Sequence, residues 1–403
     1  MNIDVVGGTY FEECFEPHWS EIYGSGLRGA LAIVDLDKSA NVRLHTFGNK
    51  EVTNHLSYLE SVFKQLKNTV IPIAESLTFK YDHPLAEPLI YPRLDTIKQN
   101  EIFVEAENII LYGTLDGSAT IKGNRVVYDP QSPVNPIPFK ETKSTAKELV
   151  VIANLSEARF YTHKENLLDI KDSLFESEEL EALIIKDGPK GAYIFNKDGT
   201  QVTVPAYKTQ AVWSIGSGDV FTASFAYHWI IKGLPIQNAS EQASYNTAQY
   251  CNSKQLVFSI KDFFEPIRIK KQTVAKPSVY LAGPFFTFSQ RWLIQQFRTS
   301  LVEMGINVFS PWHDVGFGSA REVVPLDIQA INKAGLLLAV VDGLDSGTLF
   351  EIGYARAKGI PVIAYVQNET SEALKMLEGT GCKIFEDLTT TVYNTAWSLF
   401  AYE

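Results

Sequence analysis

Two parts of this sequence bring together residue types that could do chemistry. The first is Ser214-Ile-Gly216-Ser217-Gly218-Asp219-Val-Phe221, where two glycines flank a small residue. That spacing lets the backbone turn tightly and expose consecutive N–H groups. A helix starting there would aim its positive end at the same point. Such a turn can hold the negative charge of a transferring phosphoryl group, and Asp219 could take the proton from an attacking hydroxyl. The same residues also read as a plain glycine turn, with Asp219 well placed on the helix dipole.

The second part is spread over three segments. These are Tyr280-Leu-Ala-Gly283-Pro-Phe285-Phe286, Pro325-Leu-Asp327-Ile-Gln-Ala-Ile331, and Asp342-Gly-Leu-Asp345-Ser-Gly347-Thr348-Leu-Phe-Glu351-Ile-Gly353-Tyr-Ala355. In an open α/β sheet, ligands sit beyond the C-terminal strand ends. All three segments would gather there, presenting Tyr280, Asp327, Asp345 and Glu351 to one cleft. Singly, each has a structural explanation. Thr348-x-x-Glu351 reads as a capping box, Asp327 as a dipole residue early in its helix, Asp345-Ser-Gly347 as a turn, and Tyr280 as strand packing. Their convergence at the ends of one sheet is harder to explain that way.

The elements that must position these residues are legible as β-rich runs alternating with helical stretches. Ile3–Val6, Ala30–Asp35, Ile109–Tyr112, Val126–Tyr128, Leu149–Ala153 and Leu183–Lys186 read as strands. After Asp219 the pattern turns helical, with Phe221, Phe225 and Trp229 at i, i+4 and i+8, and a second helix is expected over Glu241–Cys251. This alternation predicts a largely parallel sheet covered by helices. The basic, proline-flanked run IRIKKQTVAKP contains the expected linker, residues 269–277, between a domain of residues 1–268 and one of residues 278–403. Beyond it the alternation restarts. Strands are expected at Ser278–Ala282, Ile306–Ser310, Leu336–Val341 and Pro361–Val366, and helices at Gln290–Met304, Pro325–Ala334 and Thr348–Lys358. The second domain therefore reads as a small doubly wound α/β unit.

Length and composition set the limits. A chain of 403 residues suits two or three domains, and 45% hydrophobic with 21% charged residues excludes a disordered or fibrous chain. The net charge of −11 argues against a broad nucleic-acid or anionic-membrane surface. Cys14, Cys251 and Cys382 lie far apart without a CxxC pair, so neither a zinc site nor a disulfide framework is expected. The N-terminus turns acidic too soon for a signal peptide, and no apolar run approaches the ~20 residues of a membrane helix. A cytoplasmic location is the expectation.

Gly216-Ser217-Gly218-Asp219 resembles the GAGD signature of the ribokinase (PfkB) family of sugar and nucleoside kinases. Lys186-Asp-Gly188-Pro-Lys190-Gly191-Ala resembles that family's strand-end loop near the nucleotide phosphates. Asn154-Leu-Ser-Glu157 resembles its NxxE motif, which the resemblance links to magnesium and phosphate. Asp129-Pro130 resembles the aspartate-proline strand end, and Gly24-Ser-Gly26 the early glycine pair beside the sugar. The resemblance spans roughly residues 1–265 and implies a ribokinase-like α/β domain that uses ATP and magnesium to phosphorylate a hydroxymethyl group. It makes Asp219 the base, Gly216, Ser217 and Gly218 the anion hole, and Gly188, Gly191, Asn154 and Glu157 the nucleotide site. Glu12 sits about where a sugar-binding aspartate is expected. Trp213 replaces an aspartate usual six residues before the base, and Lys186 replaces a threonine. Those departures motivate a rival reading, a nucleotide sensor whose degenerate kinase domain regulates the other site.

The run Asp345-Ser-Gly347-Thr348-x-x-Glu351-x-Gly353-x-Ala355 resembles the nucleoside 2-deoxyribosyltransferase family, over about residues 277–370. The resemblance implies that Glu351 attacks the anomeric carbon from the face opposite the base, forming a glycosyl-enzyme ester. It implies that Asp327 and Asp345 contact the nucleobase and help protonate the leaving nitrogen. Tyr280 would orient Glu351, and Phe285 and Phe286 would line the base pocket beside the Gly283 and Gly347 turns. No metal or other cofactor is implied for this half, and a homo-oligomer is expected. A relative of the same fold hydrolyses 2-deoxynucleoside 5-monophosphates through a small, polar loop after the first strand. Here that loop, Gly283–Thr287, is apolar and aromatic, which favours transfer, although Ser289 and Arg291 could still reach a phosphate. Together the two resemblances describe a bifunctional enzyme acting on nucleosides, nucleobases or sugars. On the kinase resemblance, Asp219→Asn should lower ATP-dependent phosphoryl transfer by ~10²–10⁴-fold while nucleotide binding persists. Steady-state ADP release and an ATP titration of the purified variant check this.

Overall fold

Apolar, β-branched runs assemble into two separate sheet systems in a computed structural model of the chain, which describes residues 2–97, 100–132, 135–256, 258, 267–271 and 278–402. The chain divides into two units, Met1–Arg268 and Ile269–Glu403, and both are α/β.

The N-terminal unit is built on a nine-stranded sheet. Its spatial order is Gln201–Val204, Ala192–Asn196, Ala182–Lys186, Thr145–Asn154, Gly117–Asp129, Asn100–Tyr112, Asn2–Val6, Asn41–Gly48 and Leu66–Pro72. Pairing is parallel except at the first-named edge, where two antiparallel contacts close the sheet. Central strands read as unbroken apolar runs because helices cover both faces: Ile3, Val5, Ile110, Val127, Val150, Ile152 and Ile184 are all buried. Asn100–Tyr112 and Gly117–Asp129 pair in parallel although only the short loop 113–116 joins them. Such a loop reaches at most ~18 Å, far less than either strand laid straight. Both strands must therefore turn back on themselves, and the break in register at Glu107 and Asn124 marks the corner.

One expected strand is a helix. Ala30–Asp35 lies inside the helix Gly24–Leu36, which is buried over most of its surface. A short, continuous apolar run carries no periodicity with which to tell the two apart. The helix starts on Gly24 at φ +73°, and Gly26 passes so close to the first strand that a Cβ there would stand 2.6 Å from the Gly7 carbonyl. A small second sheet, ordered Trp19–Ile22, Phe11–Cys14, Thr78–Tyr81 and Leu89–Tyr91, has no counterpart in the sequence reading and carries Glu12. The helices after Asp219 form as expected, at Ser217–Ala226 and Ile236–Ser253.

The C-terminal unit is a five-stranded parallel sheet in the order Asn307–Phe309, Ser278–Ala282, Leu336–Val340, Val362–Tyr365, Lys383–Phe385. Strand order reverses between Ser278–Ala282 and Leu336–Val340, the crevice where doubly wound sheets bind ligands. The helix expected from Pro325 begins earlier, at Ala320, because Ser319 and Glu322 form a capping box. Pro325 then gives up one backbone bond in the second turn. Of the expected linker, Lys270–Lys271 pairs with Ala401–Tyr402, and residues 272–277 lie outside the described residues. All three cysteines are free thiols. Among the described residues, no helix is long and apolar enough to cross a membrane.

Gly26→Ala isolates the close helix–strand contact. Helix propensity alone favours alanine by about 1 kcal/mol, but a methyl against backbone atoms costs ~1–3 kcal/mol with little room to relax. The variant should lose ~1 kcal/mol or more of stability in urea unfolding of the full chain.

Candidate active sites

In the N-terminal unit, the C-terminal ends of the parallel strands meet the start of the helix Ser217–Ala226. Gly216 holds the N-cap at φ 75° and no side chain caps the first turn; Ser217 N–H is taken by the Ser214 carbonyl, and the N–H groups of Gly218 and Asp219 have no intrahelical acceptor. From those ends, Tyr112 donates to the Asp219 carbonyl at 2.9 Å. Lys186 Nζ lies 2.8 Å from Asp129 Oδ2, and Thr222 donates to the same oxygen at 2.7 Å. The lysine substitution is therefore met by a buried carboxylate. Burial alone would lower the Lys186 pKa, but the charges of Asp129 and Glu157 outweigh it and raise it. Lys186 Nζ also stands 3.2 Å from where a Cβ on Gly218 would be, so a cation and an uncapped helix start face the same space.

Asn154 and Glu157 are brought together as a capping box, each accepting from the other's backbone N–H at 2.8 Å. Burial, and then the charge of Asp129, push Glu157 up to about 7. Gly188 opens the tight turn Gly188–Lys190, and Gly191 closes it at φ 91°, where any Cβ would strike the Val204 carbonyl. Trp213 is buried, edge-on to Trp19 at 5.1 Å, with Lys254 over its ring. The residue six before Asp219 thus belongs to an aromatic core.

Arg28 is the residue that sequence reasoning missed. Its Nη1 lies 2.6 Å from Asp219 Oδ2, and its Nη2 donates to Glu12 Oε2. Gly24 N–H donates to Glu12 Oε1 at 3.0 Å, and the Gln131 amide donates to Asp219 Oδ1. Glu12 is pushed up by burial, against the opposing pull of Arg28. The signal was there to find, as a lone arginine inside the apolar run that follows the glycine pair.

In the C-terminal unit, Tyr280 and Glu351 meet. The phenol donates to Glu351 Oε1 at 2.5 Å. Burial raises the Glu351 pKa to about 7, with further upward pressure from Asp327 and Asp345, and the Tyr280 bond only partly offsets it. Tyr280 is itself raised, by burial and then by the Glu351 charge. Asp327 sits on the helix Ala320–Lys333 with Oδ1 buried and unpartnered, and desolvation raises its pKa. The helix Ser346–Ala357 takes Asp345 as its N-cap, with Thr348 N–H donating to Oδ2 at 2.8 Å. The textual capping box Thr348–Glu351 is therefore not formed. Glu351 is free of backbone duty, and Asp345 carries it instead.

The loop after the first strand is an aromatic wall. Phe285 lies 5.4 Å from Phe286 and 5.7 Å from Trp312, which meets Phe317 edge-on. Arg291 donates to the Phe285 carbonyl at 2.8 Å and lies 4.6 Å over Trp312. Gly283 is required by packing, since a Cβ would stand 2.7 Å from Ile294. Gly347 is in the first turn of its helix, its Cβ position 3.1 Å from Asp345 Oδ2. Phe309, stacked on Tyr280 at 5.5 Å, and Trp312 were not singled out from sequence. Among the described residues, no group of three or more His, Cys, Asp or Glu side chains is placed to hold a metal ion.

The chain is a two-unit α/β protein, with an uncapped glycine turn in one unit and a buried carboxylate–phenol pair in the other. Residues 114–261 match the family "pfkB family carbohydrate kinase" and residues 279–386 match "Nucleoside 2-deoxyribosyltransferase", in that order along the chain. Glu12, Gly24, Gly26 and Arg28 precede the matched kinase segment. Similar solved structures include a fructokinase from Vibrio cholerae O395 at 15% identity, covering 64% of this chain and 95% of that one with a TM-score of 0.46. A nucleoside kinase of the ribokinase family from Methanocaldococcus jannaschii is 16% identical, with coverages of 64% and 94% and a TM-score of 0.45. No curated protein matches the chain.

An acid whose folded pKa is raised holds its proton more tightly in the folded than in the unfolded state. Glu351 therefore adds stability below its ordinary value of 4.5 that is lost as the pH rises through about 7, a difference of up to ~3 kcal/mol. Glu351→Gln keeps an acceptor for Tyr280 and carries no charge. Its melting temperature should exceed that of the natural protein at pH 8.5, and the gap should close at pH 5.

Proposed function

We propose that this chain is an enzyme of nucleoside metabolism. Its C-terminal unit cleaves or exchanges the N-glycosidic bond of a nucleoside or deoxynucleoside, and its N-terminal unit takes up ATP, either to phosphorylate a sugar or nucleoside hydroxyl or, in a second reading, to sense the nucleotide without transfer. The observation that carries the first part is the 2.5 Å bond from Tyr280 to Glu351 Oε1. It fixes one carboxylate oxygen and leaves Oε2 for the anomeric carbon.

In the first step Oε2 bonds to the anomeric carbon as the carbon–nitrogen bond breaks. The leaving base takes its proton from Asp327, whose buried Oδ1 has no other hydrogen-bond partner. In the second step a new base nitrogen, or water, attacks the same carbon. The ester bond breaks to restore the Glu351 carboxylate, and the attacking group's proton returns to Asp327. Asp345 has Oδ2 committed to its helix and offers Oδ1 to the nucleobase, while Phe285 and Phe286 supply the stacking wall. Arg291 is tied to the Phe285 carbonyl and to Trp312, which favours free nucleosides over 5-monophosphates. Exposed Phe286 and Phe317, at 65% and 83%, support a homo-oligomer that covers this wall.

For the N-terminal unit, the phosphates of ATP fit the uncapped first turn at Gly216–Gly218 beside Lys186, with Gly188 and Gly191 in the adjoining loop. Bound ATP would supply the phosphoryl group, and magnesium would neutralise its charge. The helix cap uses Glu157 Oε2 and Asn154 Oδ1, so Glu157 Oε1 would remain for a magnesium-bound water. A second reading, in which this unit senses a nucleotide without transferring from it, is favoured by one observation: both oxygens of Asp219 already hold donors.

Glu351→Gln or Glu351→Ala should eliminate base exchange and hydrolysis alike, because both pass through the same ester. A 2-fluoro deoxynucleoside analogue should leave a covalent adduct on the peptide containing Glu351, read by mass spectrometry. A folded, fully active Glu351→Ala protein, or an adduct on Asp327 instead, would overturn the assignment. The nucleophile must be ionised, so kcat/KM should fall below about pH 7. Tyr280→Phe removes a bond that lowers the Glu351 pKa, and should move that limb to higher pH.

A further inference from the structure

The guanidinium of Arg28 stands between the two carboxylates that an acceptor hydroxyl would have to reach. One arm meets Asp219 and the other Glu12. The remaining oxygen of each carboxylate holds a donor too, from Gln131 and from Gly24 N–H. Arg28 is 1% exposed. Tyr23 covers its guanidinium at 4.9 Å, and its Nε lies 2.2 Å from where a Cβ on Gly216 would be. The room in front of Asp219 is thus filled by a side chain of the same protein.

We propose that Arg28 occupies the acceptor place of the N-terminal unit, so that this unit binds a nucleotide but does not pass its phosphoryl group to a neutral sugar or nucleoside. The proposal rests on the nucleotide-binding reading of that unit and deepens its second form. It makes Arg28 the specificity-determining residue.

Transfer requires that the bond from the γ-phosphorus to ADP breaks as a bond to the acceptor oxygen forms, with the hydroxyl proton passing to Asp219. Protonation would strip Asp219 of its charge and leave Arg28 with Glu12 alone. Arginine does not shed its own proton to relieve that. A neutral acceptor entering instead would have to displace the guanidinium and leave a buried charge unpaired, which is strongly unfavourable. Burial alone would lower the Arg28 pKa, yet Glu12 and Asp219 hold it well above its ordinary value. The first turn of Ser217–Ala226 and Lys186 keep their access to phosphates, because neither is paired with Arg28.

The test uses the full chain, natural and as Arg28→Asn, with ATP and a panel of neutral sugars and nucleosides. The natural protein should bind ATP in a calorimetric titration and show no acceptor-dependent ADP release. Arg28→Asn opens the space and frees Asp219, and should bring that release to at least ~100-fold above the background measured without acceptor, the low end of what a general base supplies. If Arg28→Asn fails to fold, Arg28→Asn combined with Glu12→Gln leaves one carboxylate facing the new space and takes its place. Acceptor-dependent release by the natural protein overturns the proposal, as does a folded, ATP-binding variant without the gain. Failure of the natural protein to bind ATP removes the reading beneath the proposal, and is seen before any acceptor is added.

Discussion

A carboxylate taken out of water must find a compensating donor or keep its proton, and both candidate sites turn on which of these happens. Glu351 receives one neutral donor, Tyr280, which is too little to offset burial, so its acidity weakens to about 7. Asp219 and Glu12 receive a full positive charge from Arg28. Asp129 receives Lys186 and Thr222. A carboxylate with a single hydrogen bond keeps a lone pair for chemistry. Asp219, Glu12 and Asp129 sit in ion pairs instead, and that is the contrast between the two units.

The sheets explain why these groups meet at all. Parallel strands point their C-terminal ends the same way, and the helices that follow begin there. In the N-terminal unit this brings Tyr112, Asp129 and Lys186 to the first turn of Ser217–Ala226. In the C-terminal unit the reversal of strand order opens the crevice into which Tyr280 reaches for Glu351. Glycine matters most where backbones nearly touch. Gly26 against Gly7 lets the first helix come close enough for Arg28 to reach Asp219.

The loop after Ser278–Ala282 holds a cation still. Arg291 is bonded to the Phe285 carbonyl and lies over Trp312, so its charge serves the loop. The aromatic rings around it offer a stacking surface, which on the proposed function would suit a planar base.

The sequence by itself determined the order of the two units, their α/β class, most of the parallel strands, and the glycine–aspartate and aspartate–glycine–threonine–glutamate runs that match the two families. These are local properties, set by side-chain periodicity and by backbone freedom within a few residues. It misjudged Ala30–Asp35, where an unbroken apolar run fits helix and strand equally, and it missed the small sheet that carries Glu12, whose short strands have no strong pattern. The tertiary structure alone decided that Asp345 rather than Glu351 caps its helix, that Tyr280 reaches Glu351, and that Arg28 pairs with an aspartate 191 residues away. Charge pairing acts through space between whichever strand ends the topology makes neighbours, and no spacing along the chain records that.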